Sequence, residues 1–257
     1  MPRTPRPPPL ARGALVAFAC ALAFGSSPRA ARAQGGEPSG GPSRDWHLEA
    51  GVGTDVPVQV GARVGLEAPG RIRVSTSLGF LPAPYVDAIN GVLVGVGAYG
   101  RDEADLVSNT LSSSLVWRTH VGIRPFADAG FYADAGYGLV ALGGGGTAAE
   151  IIAGLTGRDP PPNAGQLPIS ARSTLHMLDV ELGWRFPIGA HFAAWTALGG
   201  AFTLGSSTSL SPEATGNARV DAAVKQIADD GARRLDDIYT SYVFTPVLSA
   251  GAAYVFF

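Results

Sequence analysis

The sequence predicts an all-β protein: an eight-stranded antiparallel up-and-down transmembrane β-barrel, with short helices in its long external loops. Three observations predict it. Large apolar residues alternate with small or polar ones, with period two, in eight separate segments. The links between these segments are alternately short and long. Charges and glycines collect on one face of each strand, and bulky apolar residues collect on the other.

The bulk composition permits this class. Among 257 residues, 35 are Gly and only 16% are charged, while 46% are hydrophobic. No uninterrupted apolar run beyond the N-terminal region reaches the roughly 18–20 residues of a spanning helix. A membrane protein of this composition must cross as strands, which need apolar residues only at alternate positions.

Residues 1–33 read as a secretory signal peptide. Arg3, Arg6 and Arg12 form a basic start, 13–25 an apolar stretch, and Ala31-Arg32-Ala33 a cleavage motif, which places the cut between Ala33 and Gln34. Removing it takes away Cys20, the single cysteine, so neither a disulfide scaffold nor a thiolate metal site is available. It also takes five of the 19 Lys and Arg and none of the 21 Asp and Glu, leaving a formal charge of −7. Such a chain is a poor nucleic-acid binder. Residues 34–44, rich in Gly, Pro and Ser, read as a disordered linker. The barrel domain then runs over 45–257.

Strand one, 46–54, sets Trp46, Leu48, Ala50 and Val52 against His47, Glu49, Gly51 and Gly53. Strand two, 58–67, sets Val58, Val60, Ala62, Val64 and Leu66 against Gln59, Gly61, Arg63, Gly65 and Glu67. Strand three, 71–81, sets Ile72, Val74, Thr76, Leu78 and Phe80 against Arg71, Arg73, Ser75, Ser77 and Gly79. Strand four, 111–124, sets Leu115, Trp117, Thr119, Val121 and Ile123 against Ser114, Arg118, His120 and Gly122. Strand five, 126–142, sets Phe131, Ala133, Ala135, Tyr137 and Leu139 against Asp128, Gly130, Asp134, Gly136 and Gly138. Strand six, 173–186, sets Leu178, Val180, Leu182, Trp184 and Phe186 against Asp179, Glu181, Gly183 and Arg185. Strand seven, 191–204, has an ambiguous facing. The closing strand puts Tyr242, Phe244, Leu248, Ala250, Ala252, Tyr254 and Phe256 on its apolar face and Thr245, Ser249 and Gly251 on the other. Phe257 falls on the polar side of that phase.

Tight links join strands two and three, four and five, and six and seven. Residues 82–110, 143–172 and 205–238 make the long ones. This is the pattern of short periplasmic turns and long external loops, broken only by a short first link near Pro57. Within the long loops, Val220, Val224, Ile227, Gly231, Leu235 and Ile238 stand at helical spacing over 218–238. A short helix is expected over 147–155, and one or two over 85–111. These helices are read as caps on the barrel rim rather than as lids over a ligand.

The polar faces predict an interior ion-pair network that fills the lumen: Glu49, Arg63, Arg73, Arg118, His120, Asp128, Asp134, Asp179, Glu181 and Arg185. A charge facing mid-bilayer lipid costs about 2–4 kcal/mol for Arg or Lys, so these groups belong inside. A first hairpin folded about Val56 puts Glu49 opposite Arg63. A hairpin folded about Phe126 puts Arg118 opposite Asp134. Opposed charges of this kind stabilise each other. Glu67 and Arg71 are expected to titrate in water at a rim, with His47 and His191 near the periplasmic rim and His176 near the external one.

On these alternations the mature chain resembles small outer-membrane barrels of the OmpA/OmpX/OmpW type. The segments 114–125 and 235–242 are similar to barrels of GC-rich Gram-negative bacteria, a source that one Lys beside many Arg, Ala and Gly also suits. The resemblance implies an outer-membrane location, contact with outer-membrane lipid, and assembly by the barrel-assembly machinery through the C-terminal strand. It carries no catalytic motif, cofactor or metal site.

The leading functional expectation is a structural or surface-interaction barrel, not an enzyme, because eight strands leave room only for side chains. Three alternatives stand beside it: a narrow or gated channel for small or apolar solutes, a lipid-modifying enzyme, and a secreted lipocalin-like binding barrel. His120 is the best candidate base, yet Ser112 and Ser114 lie about 20 Å along the strand from it, too far for a dyad. A lipocalin would have the opposite polarity, apolar inside and polar outside.

Overall fold

A computed structural model describes residues 46–95, 108, 113–126, 129–149, 167–241 and 244–257. The signal peptide, its cleavage site and the linker fall outside the described residues. Eight antiparallel strands close into a barrel in sequence order: β1 (His47–Val56), β2 (Gln59–Glu67), β3 (Ile72–Phe80), β4 (Ser113–Ile123), β5 (Phe131–Thr147), β6 (Pro168–Ile188), β7 (Phe192–Pro212) and β8 (Phe244–Val255). Two helices are described in the long connections, α1 (Ala83–Gly95) and α2 (Ala218–Ser241). Residues 148 and 149 are helical, and the rest of the helix expected over 147–155 lies outside the described residues. No described helix is long and apolar enough to cross a membrane.

Period-two alternation makes these segments strands because one face must meet a different environment from the other. The faces separate cleanly. On β6, Leu178, Val180, Leu182, Trp184, Phe186 and Ile188 all point outward and are 43–56% exposed, while Asp179 and Glu181 between them are buried. That outward row covers about 33 Å of strand, or about 25 Å along the axis at a tilt near 40°, matching the apolar band of a membrane barrel. Beyond Leu178 the outward face of β6 turns polar, with His176, Thr174 and Arg172. Aromatic residues mark the short-turn end: Phe131 meets Phe126 and Trp184, and Tyr254 meets His191, Phe192 and Phe256.

The register differs from expectation in both hairpins where it was assigned. Pro57 and Val58 form the first turn, so Asp55 pairs with Gln59 and the fold centre sits one residue later. A one-residue shift of the centre moves each partner by two: Arg63 lies opposite Gly51, and Glu49 opposite Gly65. The link from β4 to β5 is longer than a tight turn about Phe126, which puts Arg118 opposite Gly138 and Asp134 opposite Gly122.

Strands β5, β6 and β7 run well past the apolar band, taking up residues assigned from sequence to loops. The ambiguous facing of strand seven has a physical cause. The pairing of β6 with β7 slips at His176/Met177, leaving Leu204 as an extra residue. Before this bulge odd positions face inward, as Ala193, Trp195, Ala197 and Ala201 do; after it, Leu210 is buried.

Helix α2 lies against this extension. Ala228 and Leu235 pack with Ala148, Ile169, Ala171 and Leu210, joined by Ala232 and Tyr239. Asp236 ties the helix down, accepting bonds from the Ser206 hydroxyl (2.9 Å) and the Thr208 amide (3.3 Å). Only the second half of the expected apolar stripe is used. Gly231 and Leu235 are buried, whereas Val220 and Ile227 stay 43% and 39% exposed. The helix starts on an Asn217 cap whose side-chain oxygen accepts the Arg219 amide. The Thr215 hydroxyl and amide hold the Asp221 carboxyl below the ordinary carboxylate range.

Candidate functional site: the barrel lumen

Closing an eight-stranded sheet brings the polar faces of all strands onto one axis, so residues far apart in sequence become neighbours. Arg118, 2% exposed, is the centre of the outer ionic group. Its Nη1 meets Asp55 Oδ2 at 2.6 Å and its Nε meets Asp179 Oδ2 at 3.0 Å. Gln59 Nε2 donates to Asp55 (2.7 Å) and to the Ser77 hydroxyl (2.8 Å). His120 Nε2 stands 3.6 Å from Asp179, whose side chain is fully buried.

A second group lies nearer the short turns. Arg63 approaches Glu181 at 3.5 Å and Asp134 at 3.7 Å, and donates to the Ser75 hydroxyl at 3.0 Å. Tyr132, fully buried, donates its hydroxyl to Glu181 at 2.8 Å. Arg73 covers the Tyr132 ring at 4.0 Å, and Arg63 lies over the Trp195 ring at 5.6 Å. At the mouth, Arg185 Nε meets Glu49 at 3.0 Å, Arg73 meets the same carboxylate at 3.9 Å, and Arg124 meets Glu67 at 3.0 Å.

Glycines provide the room. A Cβ on Gly183 would sit 2.3 Å from Tyr132 Cζ, and one on Gly251 would sit 2.2 Å from Trp195 Cζ2. Tyr132 and Trp195 therefore each lie over a glycine of the neighbouring strand.

Of the ten residues proposed from sequence, nine are described and all nine face the lumen; Asp128 lies outside the described residues. Their partners differ from the cross-strand pairs expected. Glu49 meets Arg185 and Arg73 rather than Arg63, and Arg118 meets Asp55 and Asp179 rather than Asp134, because long side chains reach across the lumen. Glu67 is 9% exposed and ion-paired, not a rim group free in water. Sequence reasoning missed Asp55, Gln59, Tyr132 and Trp195. Asp55 continues the odd positions of β1, and Tyr132 shares the parity of Asp134, so strand phase carried both.

The charges also do not fill the lumen. Above Arg118 the interior is apolar, formed by Val116, Val140, Leu142, Met177, Ala201 and Val247, with Tyr239 of α2 packed on it. On the β1 side, Tyr85 of α1 bonds Thr54 (2.6 Å). The Ser114 hydroxyl is engaged by Leu81, accepting its amide at 2.8 Å, and it stands three pairs along β4 from His120. Among the described residues, no group of three His, Cys, Asp or Glu is arranged to hold a metal ion.

No protein-family model and no curated protein matches the chain. Among solved structures it is similar to CarO of Acinetobacter baumannii, at 13% identity and TM-score 0.36, over 81% of this chain and 97% of that one. A major outer membrane protein from Thermus thermophilus gives 15% identity and TM-score 0.37, over 82% and 98%. At such TM-scores the likeness carries no argument about function, which rests on the geometry of the barrel itself.

Proposed function

We propose that this chain is an outer-membrane barrel with a structural or surface-interaction role, a non-catalytic lumen plugged by side chains, and an external face formed by α2 and the extended β5–β7 sheet. The observation that carries this reading is the inverted polarity of the barrel. Outward residues such as Leu182 (49% exposed) and Trp184 (45%) are apolar, while inward ones such as Arg118 (2%) and Asp179 (0%) are charged. Water outside would reverse that preference, because exposed apolar area costs about 25 cal/mol per Å² and buried charge several kcal/mol per ion. Lipid outside removes the first cost and makes the second cheaper than facing a charge into the bilayer. The same polarity disfavours a lipocalin-like barrel. Short turns would face the periplasm, and outer-membrane lipid would be the solvent of the apolar band.

Two tests apply. The protein should fractionate with the outer membrane, and unboiled protein should migrate differently from boiled protein on a gel. A soluble chain of unaltered mobility would contradict the reading. In planar bilayers the folded protein should be silent. The apolar layer from Val116 to Val247 favours one second reading, a gated path for an apolar solute, and stable conductance or solute flux would select it.

A further inference from the structure

The outward face of β6 has two parts. From Ile188 to Leu178 it is an unbroken apolar row, and above Leu178 it reads His176, Thr174, Arg172 and Ser170. On β7 the change comes at the same level. Leu204, at the bulge beside His176, is 63% exposed, and above it the exposed residues are Ser207, Ser209 and Ser211. The register sets the two rows side by side: Thr174 pairs with Ser207, Arg172 with Ser209 and Ser170 with Ser211. On the β5 side Arg172 pairs with Gly143 and Ser170 with Gly145, so no side chain stands directly beside them there. The result is a flat ladder of hydroxyls around one guanidinium.

Arg172 is exposed and has no ion pair or hydrogen bond among the described residues. The paired stretches around it, 139–147, 170–178 and 203–211, contain no Asp or Glu, although the chain has 21. The acidic residues of α2, Asp236 among them, belong to a helix packed on the opposite, inward side of the sheet. A guanidinium without a carboxylate is a binding group for phosphate, and hydroxyls that donate and accept suit a saccharide. At the lower edge His176 bonds the Tyr137 hydroxyl through Nδ1, and its Nε2 has no partner among the described residues.

Height separates the candidate lipids. A rise of about 3.3 Å per residue and a tilt near 40° place His176 about 5 Å, Arg172 about 15 Å and Ser170 about 20 Å above Leu178. The polar layer of an ordinary phospholipid leaflet is only roughly 5–8 Å thick. A phospholipid headgroup therefore reaches His176 and stops below the ladder, whereas a headgroup several sugars tall covers all of it.

We propose that the outward face of β6 and β7 above Leu178 docks the phosphorylated saccharide headgroup of an outer-leaflet glycolipid, whose acyl chains lie on the apolar row below. Arg172 holds a phosphate, and Thr174, Ser207 and Ser209 bond the sugar hydroxyls. The docking surface is continuous with the lipid-facing band, so the proposal rests on the membrane reading above and names a partner for the external face.

The test uses the folded chain in zwitterionic detergent, with bound lipid counted by native mass spectrometry. Three probes are titrated separately: a lipid A glycolipid carrying phosphorylated core sugars, the same glycolipid after phosphatase treatment, and phosphatidylglycerol. The intact glycolipid should bind saturably and several-fold tighter than either of the others. Arg172→Gln should weaken it about five-fold or more, by loss of a charge-assisted hydrogen bond. Ser209→Asp should do the same without removing the arginine, because it places a carboxylate directly opposite Arg172. Arg233→Gln on the exposed side of α2 should change nothing. Excess glucose 6-phosphate should leave the glycolipid bound; full displacement would assign the site to a free sugar phosphate and overturn the lipid assignment. Equally tight binding of phosphatidylglycerol would overturn the saccharide assignment. Equal affinity in wild type, Arg172→Gln and Ser209→Asp would overturn the site and leave this face to a protein partner. Heat-modifiable gel mobility after insertion into vesicles keeps the two claims apart: an inserted barrel without Arg172-dependent binding refutes the docking site alone, and a chain that does not insert refutes the membrane reading.

Discussion

Replacing Arg118 by Met tests the ionic lumen at its most buried point. Arg118 is 2% exposed and holds two carboxylates, Asp55 at 2.6 Å and Asp179 at 3.0 Å. Met fills much of the same volume without the charge. Asp55 would keep Gln59 at 2.7 Å, but Asp179 would be left with His120 at 3.6 Å. Removing one partner from a buried ion pair costs about 3–5 kcal/mol, most of it from the stranded charge. The single variant should therefore lose that much in equilibrium urea unfolding from detergent micelles, followed by tryptophan fluorescence and gel mobility. Adding Asp179→Asn removes the worst stranded charge, so the double variant should recover roughly 2 kcal/mol, about half of the loss. A single variant within about 1 kcal/mol of wild type, or a double variant no more stable than the single, would refute the reasoning.

Two further substitutions probe the walls. Gly183→Ala puts a Cβ 2.3 Å from Tyr132 Cζ and must displace the ring from Glu181, so it should cost about 1–3 kcal/mol in the same unfolding assay. Wild-type stability would show that the ring has room to move. Leu182→Arg places a charge in the middle of the outward apolar row and should cost about 2–4 kcal/mol in lipid vesicles, while an unchanged midpoint would indicate that this face meets water.

Strand identity and facing were legible because they depend on local alternation alone. The apolar face of β8 reads off the sequence: Phe244, Leu248, Ala250, Ala252, Tyr254 and Phe256 are all exposed in the structure, joined by Pro246, while Tyr242 lies outside the described residues. Phe257 continues the strand past Val255, its carbonyl oxygen accepting the Leu48 amide at 3.3 Å. Pairing partners were not legible, because each depends on where a turn is centred. One residue at Pro57 moved Arg63 from Glu49 to Gly51. The contacts across the lumen depend on closure of the whole ring, which no strand encodes by itself; the Arg118–Asp179 pair spans 61 residues. The facing of strand seven failed for a different reason. The extra residue at Leu204 reverses the phase within one strand, so no single alternation describes it. The charge-rich sequence signal also hid the apolar upper lumen, because Val116 and Met177 share strand faces with Arg118 and Asp179 and read as interruptions of a polar row.

The chain's four tryptophans allow the central claim, lipid outside and ions inside, to be measured directly. Trp46, Trp117 and Trp184 point outward and are 50%, 42% and 45% exposed, whereas Trp195 points into the lumen at 8%. Single-tryptophan variants reconstituted in vesicles of brominated lipid should show strong quenching for Trp117 and Trp184 and almost none for Trp195. Quenching of Trp195, or none at Trp117 and Trp184, would contradict the assignment of lipid to the outer face of this barrel.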